Sequence, residues 1–320
     1  MSDPRKGRRA PGKYGDSAAR HFLDVDDLTG DELDTVLDVA AEYKAEFESD
    51  GPHDDFDRKT LGMLFQKPST RTRVSFETGM TQLGGHAIFL GEDDIQLGRG
   101  EPLKDTSRAL SRYVDVLMAR VFKHANAVEL ARYADVPVVN GLTDDAHPCQ
   151  TLADLLTIRE HEGGFEDVSA AWIGDGNNVA QSFALGCALT DIDLTVATPK
   201  GYGIDDDVVE RARDLGGDPT ITDDPVEAAA DADVIYTDVW ISMGQEDERD
   251  VRMDAFEGFQ VSDDLLAHAD DASVMHCLPA HRGEEITDDV IESDSAAVWD
   301  QAENRLHAQK GLLVWLLDQV

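Results

Sequence analysis

The stretch Leu61-Gly62-Met63-Leu64-Phe65, followed by Gln66-Lys67-Pro68 and then Ser69-Thr70-Arg71-Thr72-Arg73, decides how the rest of the chain is read. The apolar run at 61–65 has the length and composition of a buried strand, and Gln66-Lys67-Pro68 ends it. Residues from Val74 to Leu83 have helical content. Hydroxyls and guanidiniums therefore fall where a helix begins. Free backbone N–H groups and the positive end of the helix dipole favour an anion at such a place. Arginine adds planar, bidentate donors that suit phosphate oxygens. A plain helix cap would account for one hydroxyl. It does not account for two arginines interleaved with three hydroxyls. The glycines of a Walker loop are absent.

Working outward, the same alternation recurs. Apolar runs at 61–65, 86–90, 114–120 and 136–140 read as strands in the first half. Runs at 170–174, 193–198, 219–222, 233–237 and 273–277 do so in the second. Helices are expected at 30–48, 71–83, 104–111, 126–134, 149–161, 178–190, 205–214, 224–230 and 304–319. Strands separated by helices imply an α/β protein of two domains, each a parallel sheet covered by helices on both faces. The join is expected in the helix after Pro148. The divisions are a basic arm at 1–20, a first domain at 21–148, a second at 149–303 and a last helix at 304–320.

Composition narrows the function. Of 320 residues, 66 are acidic and 28 basic, a formal charge of −38 that repels nucleic acid and anionic lipid. Acids spread along a chain with regular apolar strands fit a surface adapted to a salt-rich cytoplasm, as in halophilic archaea. The expectation is a fold that needs high salt, because molar salt shortens the Debye length to roughly 3 Å. No apolar run is long enough for a membrane span, and the first twenty residues lack the apolar core of a secretory signal. The reading places the protein in the cytoplasm. Cys149, Cys187 and Cys277 are too scattered for a disulfide framework, and their spacing with histidine matches no zinc pattern. No metal is expected.

Ligands of open α/β sheets bind at the carboxyl ends of strands. That rule collects the candidates. Ser69 to Arg73, His147-Pro148-Cys149-Gln150, Asn177-Asn178 and Asp238 to Gly244 follow strands, Arg120 ends one, and His276-Cys277-Leu278-Pro279 closes another. Gly174-Asp175-Gly176 offers G-x-G without a third glycine, since Val179 stands there, so a dinucleotide site is disfavoured. The turn instead presents amides that suit an amino-acid carboxylate. Asp238 can hold an ammonium group, and Ser242-Met243-Gly244 can supply donors to a carboxylate. Cys277 is not favoured as a nucleophile, because its neighbour His276 points to the opposite face of the strand.

These segments, together with Asp94-Ile95-Gln96-Leu97-Gly98, Met118 to Val121 and Glu303-Asn304-Arg305, resemble the ornithine carbamoyltransferases of the aspartate/ornithine carbamoyltransferase family. They occur in family order over nearly the whole chain after residue 20. The resemblance implies a carbamoyl phosphate domain, an ornithine domain and a last helix that returns to the first. It implies a homotrimer or an assembly of trimers, with Gln96 reaching a neighbour's site. The implied substrates are carbamoyl phosphate and L-ornithine, and the products citrulline and phosphate. No cofactor is needed, because the leaving group is already activated. Ser69, Thr70, Arg71 and Thr72, with Gln96 and Arg305, would grip the phosphate. Arg120, His147 and Thr72 would polarise the carbonyl. Gln150, Cys277 and Leu278 would orient the carbamoyl NH₂. Asn178, Asp238, Ser242 and Met243 would hold ornithine, and Cys277 with Asp238 would position its δ-amine. The rival readings are a carbamoyltransferase for aspartate, putrescine or a modified ornithine, and a non-catalytic phosphate-binding homologue.

Overall fold

A computed structural model of the chain describes residues 13–14, 19–92, 100–242, 244–269 and 271–317. Among these residues nine strands form two all-parallel sheets. The first contains β1 (Thr60–Phe65), β2 (His86–Gly91), β3 (Val116–Arg120) and β4 (Val138–Leu142), in the order β2-β1-β3-β4. The second contains β5 (Ser169–Ile173), β6 (Asp193–Ala197), β7 (Thr220–Thr222), β8 (Val234–Thr237) and β9 (Ser273–His276), in the order β7-β6-β5-β8-β9. Each expected strand is present, with ends shifted by a residue or two. The helices are α1 (Gly30–Asp50), α2 (Thr70–Gln82), α3 (Leu103–Leu110), α4 (His124–Tyr133), α5 (Pro148–Glu162) and α6 (Asn178–Thr190). They continue with α7 (Asp206–Leu215), α8 (Pro225–Ala229), α9 (Arg249–Ala255), α10 (Asp263–Leu266), α11 (Asp288–Ile291) and α12 (Val298–Leu316). The α/β class with two covered parallel sheets is as the sequence implies.

Alternation along the strands divides the core into three. Leu61, Met63 and Phe65 of β1, with Ala170 and Trp172 of β5, enter one cluster built on α1, α2, α5, α6 and α12. Leu64 of β1 enters a second cluster with Leu130 and Val138, on the other face of the first sheet. Ala171 and Ile173 of β5 enter a third with Trp240 and Phe256, on the far face of the second sheet. The two sheets thus share a middle layer of helices. The helix α12 packs there against α1, α2 and α5. A Cβ on Gly311 would lie 2.5 Å from the carbonyl of Val36, so this crossing of α12 over α1 requires glycine.

Local signals set the helix ends. Thr29 and Glu32 close a capping box on α1. Pro148 opens α5, and Gly163 ends it in the left-handed region. The helix α12 starts six residues before the expected 304, from Ala297, which makes no side-chain cap bond. Without a capping residue the sequence offers no start signal there. The helices α9, α10 and α11 were not anticipated, because segments of four to seven residues are too short to show a helical period.

Candidate active site

Strand order places the site. In the first sheet the chain runs from β1 to its neighbour β2, then crosses back to β3 on the other side of β1. In the second it reverses in the same way around β5, from β6 and β7 to β8. Each reversal opens a crevice at the carboxyl ends of the strands. Arg71 follows β1, Arg120 ends β3, Asn178 follows β5 and Asp238 follows β8, so the two crevices carry the polar side chains. They face a common cavity of about 530 Å³.

One end of this cavity is cationic. Ser69 caps α2, its Oγ accepting from Thr72 N at 3.2 Å. Thr72 Oγ1 in turn accepts from Nη1 of Arg120 and from Nη2 of Arg305, both at 3.3 Å. One buried hydroxyl therefore joins α2, β3 and α12. Arg71, Arg120, Arg305 and Lys67 all line the cavity. Among the described residues none of the three arginines is ion-paired with a carboxylate. Nε of Arg120 and Nε of Arg305 are buried without partners. Burial, and then the charges of Arg305 and Arg71, lower Arg120 to about 10. Converging guanidiniums without a counter-ion, in a chain this acidic, fit a ligand of high negative charge.

His147 sits beside them, its N–H held by Ser182 Oγ at 2.8 Å. Burial, followed by Arg305, Arg120 and Arg71, holds its imidazole well below the ordinary histidine range. It is therefore neutral and offers a hydrogen bond without a charge. Gln150, in the first turn of α5, accepts from Nη1 of Arg305 at 2.7 Å and donates to Asp154 at 2.8 Å.

The other end is acidic and amide-rich. Asn177 caps α6 through its Oδ1 and donates through Nδ2 to Asp238 Oδ2 at 2.8 Å. Asn178 donates to the carbonyl of Thr143 at 2.8 Å. A Cβ on Gly176 would lie 2.2 Å from the backbone of Gly203, so this turn packs where only glycine fits. Arg252 of α9 donates to Asp175 at 3.1 Å and to the carbonyl of Trp240 at 2.9 Å, tying the two loops together. Leu278 adopts a φ of 57°, a left-handed conformation costing about 1–3 kcal/mol for a branched residue. Its N–H is held by Nδ1 of His276 at 2.9 Å, and Nε2 of that ring then donates to the buried Glu285 at 3.0 Å.

The cavity therefore brings together Ser69, Arg71, Thr72, Arg120, His147, Gln150, Asn178, Asp238, Ser242, Cys277, Leu278 and Arg305. Thr70, the first residue of α2, is exposed and does not line it. Gln96 and Met243 lie outside the described residues. Sequence reasoning missed Lys67, Asp154, Asp175, Gln245 and Arg252. Asp154 had a visible signal: an acid inside the apolar run Leu152-Ala153-Asp154-Leu155-Leu156, one helical turn from Gln150. Asp238, His276 and Cys277 lie close enough to share a cation, as do His281, Glu284 and Glu285. Existing hydrogen bonds already engage most of the first group.

Two covered parallel sheets, with a cationic crevice facing an acidic and amide-lined one, define a protein that brings a small phosphorylated anion to an amine. Two family models match: the carbamoyl-P binding domain of aspartate/ornithine carbamoyltransferase at residues 20–160, and the Asp/Orn binding domain at 166–316. The chain belongs to the aspartate/ornithine carbamoyltransferase family. It is 66% identical over 299 residues to an ornithine carbamoyltransferase of Haloquadratum walsbyi, covering 93% of this chain and 98% of that protein. It resembles the solved ornithine carbamoyltransferase of Pyrococcus furiosus with a TM-score of 0.91 at 52% identity, over 95% of this chain and 98% of that one. The enzyme from Thermus thermophilus matches with a TM-score of 0.85 at 42% identity, over 94% and 100%.

Proposed function

We propose that the protein transfers the carbamoyl group of carbamoyl phosphate to the δ-amine of L-ornithine, giving citrulline and phosphate. The observation that carries this reading is the set of three guanidiniums without carboxylate partners among the described residues, facing Asp238 and the Asn177–Asn178 turn across one cavity. The phosphate would lie against Ser69, Arg71, Thr72 and Arg305. The carbonyl oxygen would meet Arg120 and neutral His147, where negative charge grows as the tetrahedral intermediate forms. Gln150 and the Leu278 segment would face the carbamoyl NH₂. Asp238 and Cys277 would orient the amine, and Asn178 with the Ser242 turn would hold the amino-acid end. The neutral δ-amine attacks the carbonyl carbon, the bond from that carbon to the phosphate-bridging oxygen breaks, and the proton lost by the amine leaves with phosphate.

The division of labour follows the chain. Residues 21–148 supply the phosphate site, 149–303 the amine site, and α12 returns Arg305 to the first. No helix among the described residues is long and apolar enough to cross a membrane. We infer a homotrimer, or an assembly of trimers, built through the first sheet. Its edge strand β2 leaves Ile88 40% exposed, and Val74 on α2, which packs on β2, is 55% exposed. Sedimentation in molar KCl checks this, and a monomer would overturn it.

The decisive experiment offers carbamoyl phosphate with ornithine, aspartate or putrescine separately, in molar KCl. Turnover with ornithine alone is expected. Turnover with aspartate or putrescine in its place would overturn the substrate assignment. So would inertness of the folded protein toward all three.

A further inference from the structure

Asp154 is fully buried in α5, in the helical layer shared by the two sheets. Its Oδ1 accepts two hydrogen bonds, from Nε2 of Gln150 at 2.8 Å and from Nε2 of Gln301 at 2.7 Å. Its Oδ2 accepts from the hydroxyl of Tyr236, on β8, at 3.1 Å. The far ends of the two amides have different partners. Gln150 Oε1 accepts from Nη1 of Arg305, and Gln301 Oε1 accepts from the backbone N–H of His276 at 2.9 Å.

A guanidinium and a backbone N–H can only donate, and Oδ1 here acts only as an acceptor. Each glutamine amide therefore has a single orientation that satisfies both of its ends. Turning either one would set N–H against N–H at one end and oxygen against oxygen at the other. Each such clash would leave a buried polar group without a partner, which is unfavourable.

We propose that Asp154 is a positioning residue that fixes amide polarity on both sides of the cleft. Through Gln150 it presents a carbonyl oxygen beside Arg305, with a second lone pair left for the carbamoyl NH₂. Through Gln301 it anchors the backbone at His276, next to Cys277 and the Leu278 turn. Burial raises the Asp154 carboxyl to about 7, so near neutrality it gains or loses a proton. The two amide N–H groups at Oδ1 direct that proton to Oδ2, from which the carboxyl O–H can donate a hydrogen bond to Tyr236 Oη. The acceptor that orients the glutamines is present in either form.

The inference rests on the carbamoyl-transfer reading, which citrulline formation by the wild-type protein tests separately. The experiment measures KM for each substrate, kcat and the melting temperature of Asp154→Asn, Asp154→Leu and Gln301→Met in molar KCl. Asparagine keeps an oxygen at Oδ1 and can donate to Tyr236, so its KM values should stay within about threefold of wild type. Leucine keeps the volume and removes the acceptor, and KM for carbamoyl phosphate should rise about tenfold, the equivalent of one lost orienting hydrogen bond. Gln301→Met should raise KM for ornithine several-fold and, acting on carbamoyl phosphate only through the Leu278 turn, raise that KM less than Asp154→Leu does. A purely structural Asp154 would lower the melting temperature of the leucine variant without moving either KM, which would overturn the proposal. An asparagine variant as impaired as the leucine variant would do the same. Should the leucine variant not fold, an unchanged ornithine KM in a folded Gln301→Met variant would also overturn it.

Discussion

The thiol of Cys277 donates to Oδ1 of Asp238 across 3.1 Å, joining the ends of two adjacent strands, β9 and β8. Burial first, and then the charge of Asp238, push this thiol well above the ordinary cysteine range. A thiol held in this way is protonated at neutral pH and is not a ready nucleophile.

Cys277 should therefore resist alkylation. In the folded protein at neutral pH, iodoacetamide should modify it at least about tenfold more slowly than a free thiol, because the thiolate is the reactive form. Peptide mapping by mass spectrometry reads the rate directly. Asp238→Asn removes the carboxylate and should speed the reaction. Rapid alkylation of the wild-type protein would show that the thiolate is already formed.

His147 should carry no charge across the working pH range. Its imidazole is held well below 6.5 by burial and then by Arg305, Arg120 and Arg71, so NMR titration between pH 5 and 8 should show no shift of its ring signals. The consequence for stability has a definite sign. The unfolded chain takes up a proton at this residue as pH falls through about 6.5, and the folded chain does not, so stability is present above that value and lost below it. His147→Ala should reduce kcat by about 10²–10³-fold if the ring serves the developing oxyanion. Steady-state kinetics at saturating substrate test this.

Arg71 is half-buried at the start of α2 and has no carboxylate partner among the described residues. Arg71→Ala should lower kcat/KM for carbamoyl phosphate by about 10³-fold, with little effect on folding. Arg71→Lys restores a charge but not a planar fork, and it should recover only a small part of the loss. Near-normal turnover in the alanine variant would remove Arg71 from the phosphate site.

Arg211 of α7 should matter most in dilute buffer. It donates to Asp24 at 2.6 Å and to Asp26 at 3.1 Å, reaching from the second half of the chain to a segment paired with the first sheet. Lys13 pairs with Asp26 and Asp27 of the same cluster. Two cations thus hold three carboxylates. Screening reaches about 10 Å at 0.1 M salt and about 3 Å at 1 M, so salt relieves the residual repulsion. Arg211→Ala should lower the melting temperature more in dilute buffer than in molar KCl. The wild type should itself gain stability as KCl rises. Equal losses at both salt concentrations would indicate lost packing rather than lost charge.

Much of this was legible before any coordinates. Parallel strands buried on both faces read as short apolar runs, and Gln66-Lys67-Pro68 visibly ends the first of them. The strand-end rule then gathered Arg71, Arg120, His147, Asn178, Asp238 and Cys277, because each ends a strand or lies in the segment that follows one. What stayed hidden depends on packing between distant segments. Asp154 and Arg252 are a buried acid and base, each with one partner four residues away, Gln150 and Glu248. Their remaining partners, Gln301 and Tyr236 for the one and Asp175 and Trp240 for the other, lie on distant segments that nothing local announces. Thr70 looked equivalent to its neighbours in the Ser-Thr-Arg run, but helical geometry turns it to solvent while Thr72 turns inward. The start of α12 was misplaced because Ala297 carries no capping side chain.

Thr72 and Arg305 share a hydrogen bond although 233 positions separate them in the chain. At ribosomal speeds of about 5–20 residues per second, roughly 10–50 s pass between synthesis of the one and of the other. Throughout that interval the nascent polypeptide carries the Ser69 to Arg73 turn without its last guanidinium. The faces of α1, α2 and α5 that α12 will cover also remain bare. A product that terminates before Val298 therefore both lacks Arg305 beside Thr72 and exposes an apolar surface, and cellular proteolysis can recognise the second property.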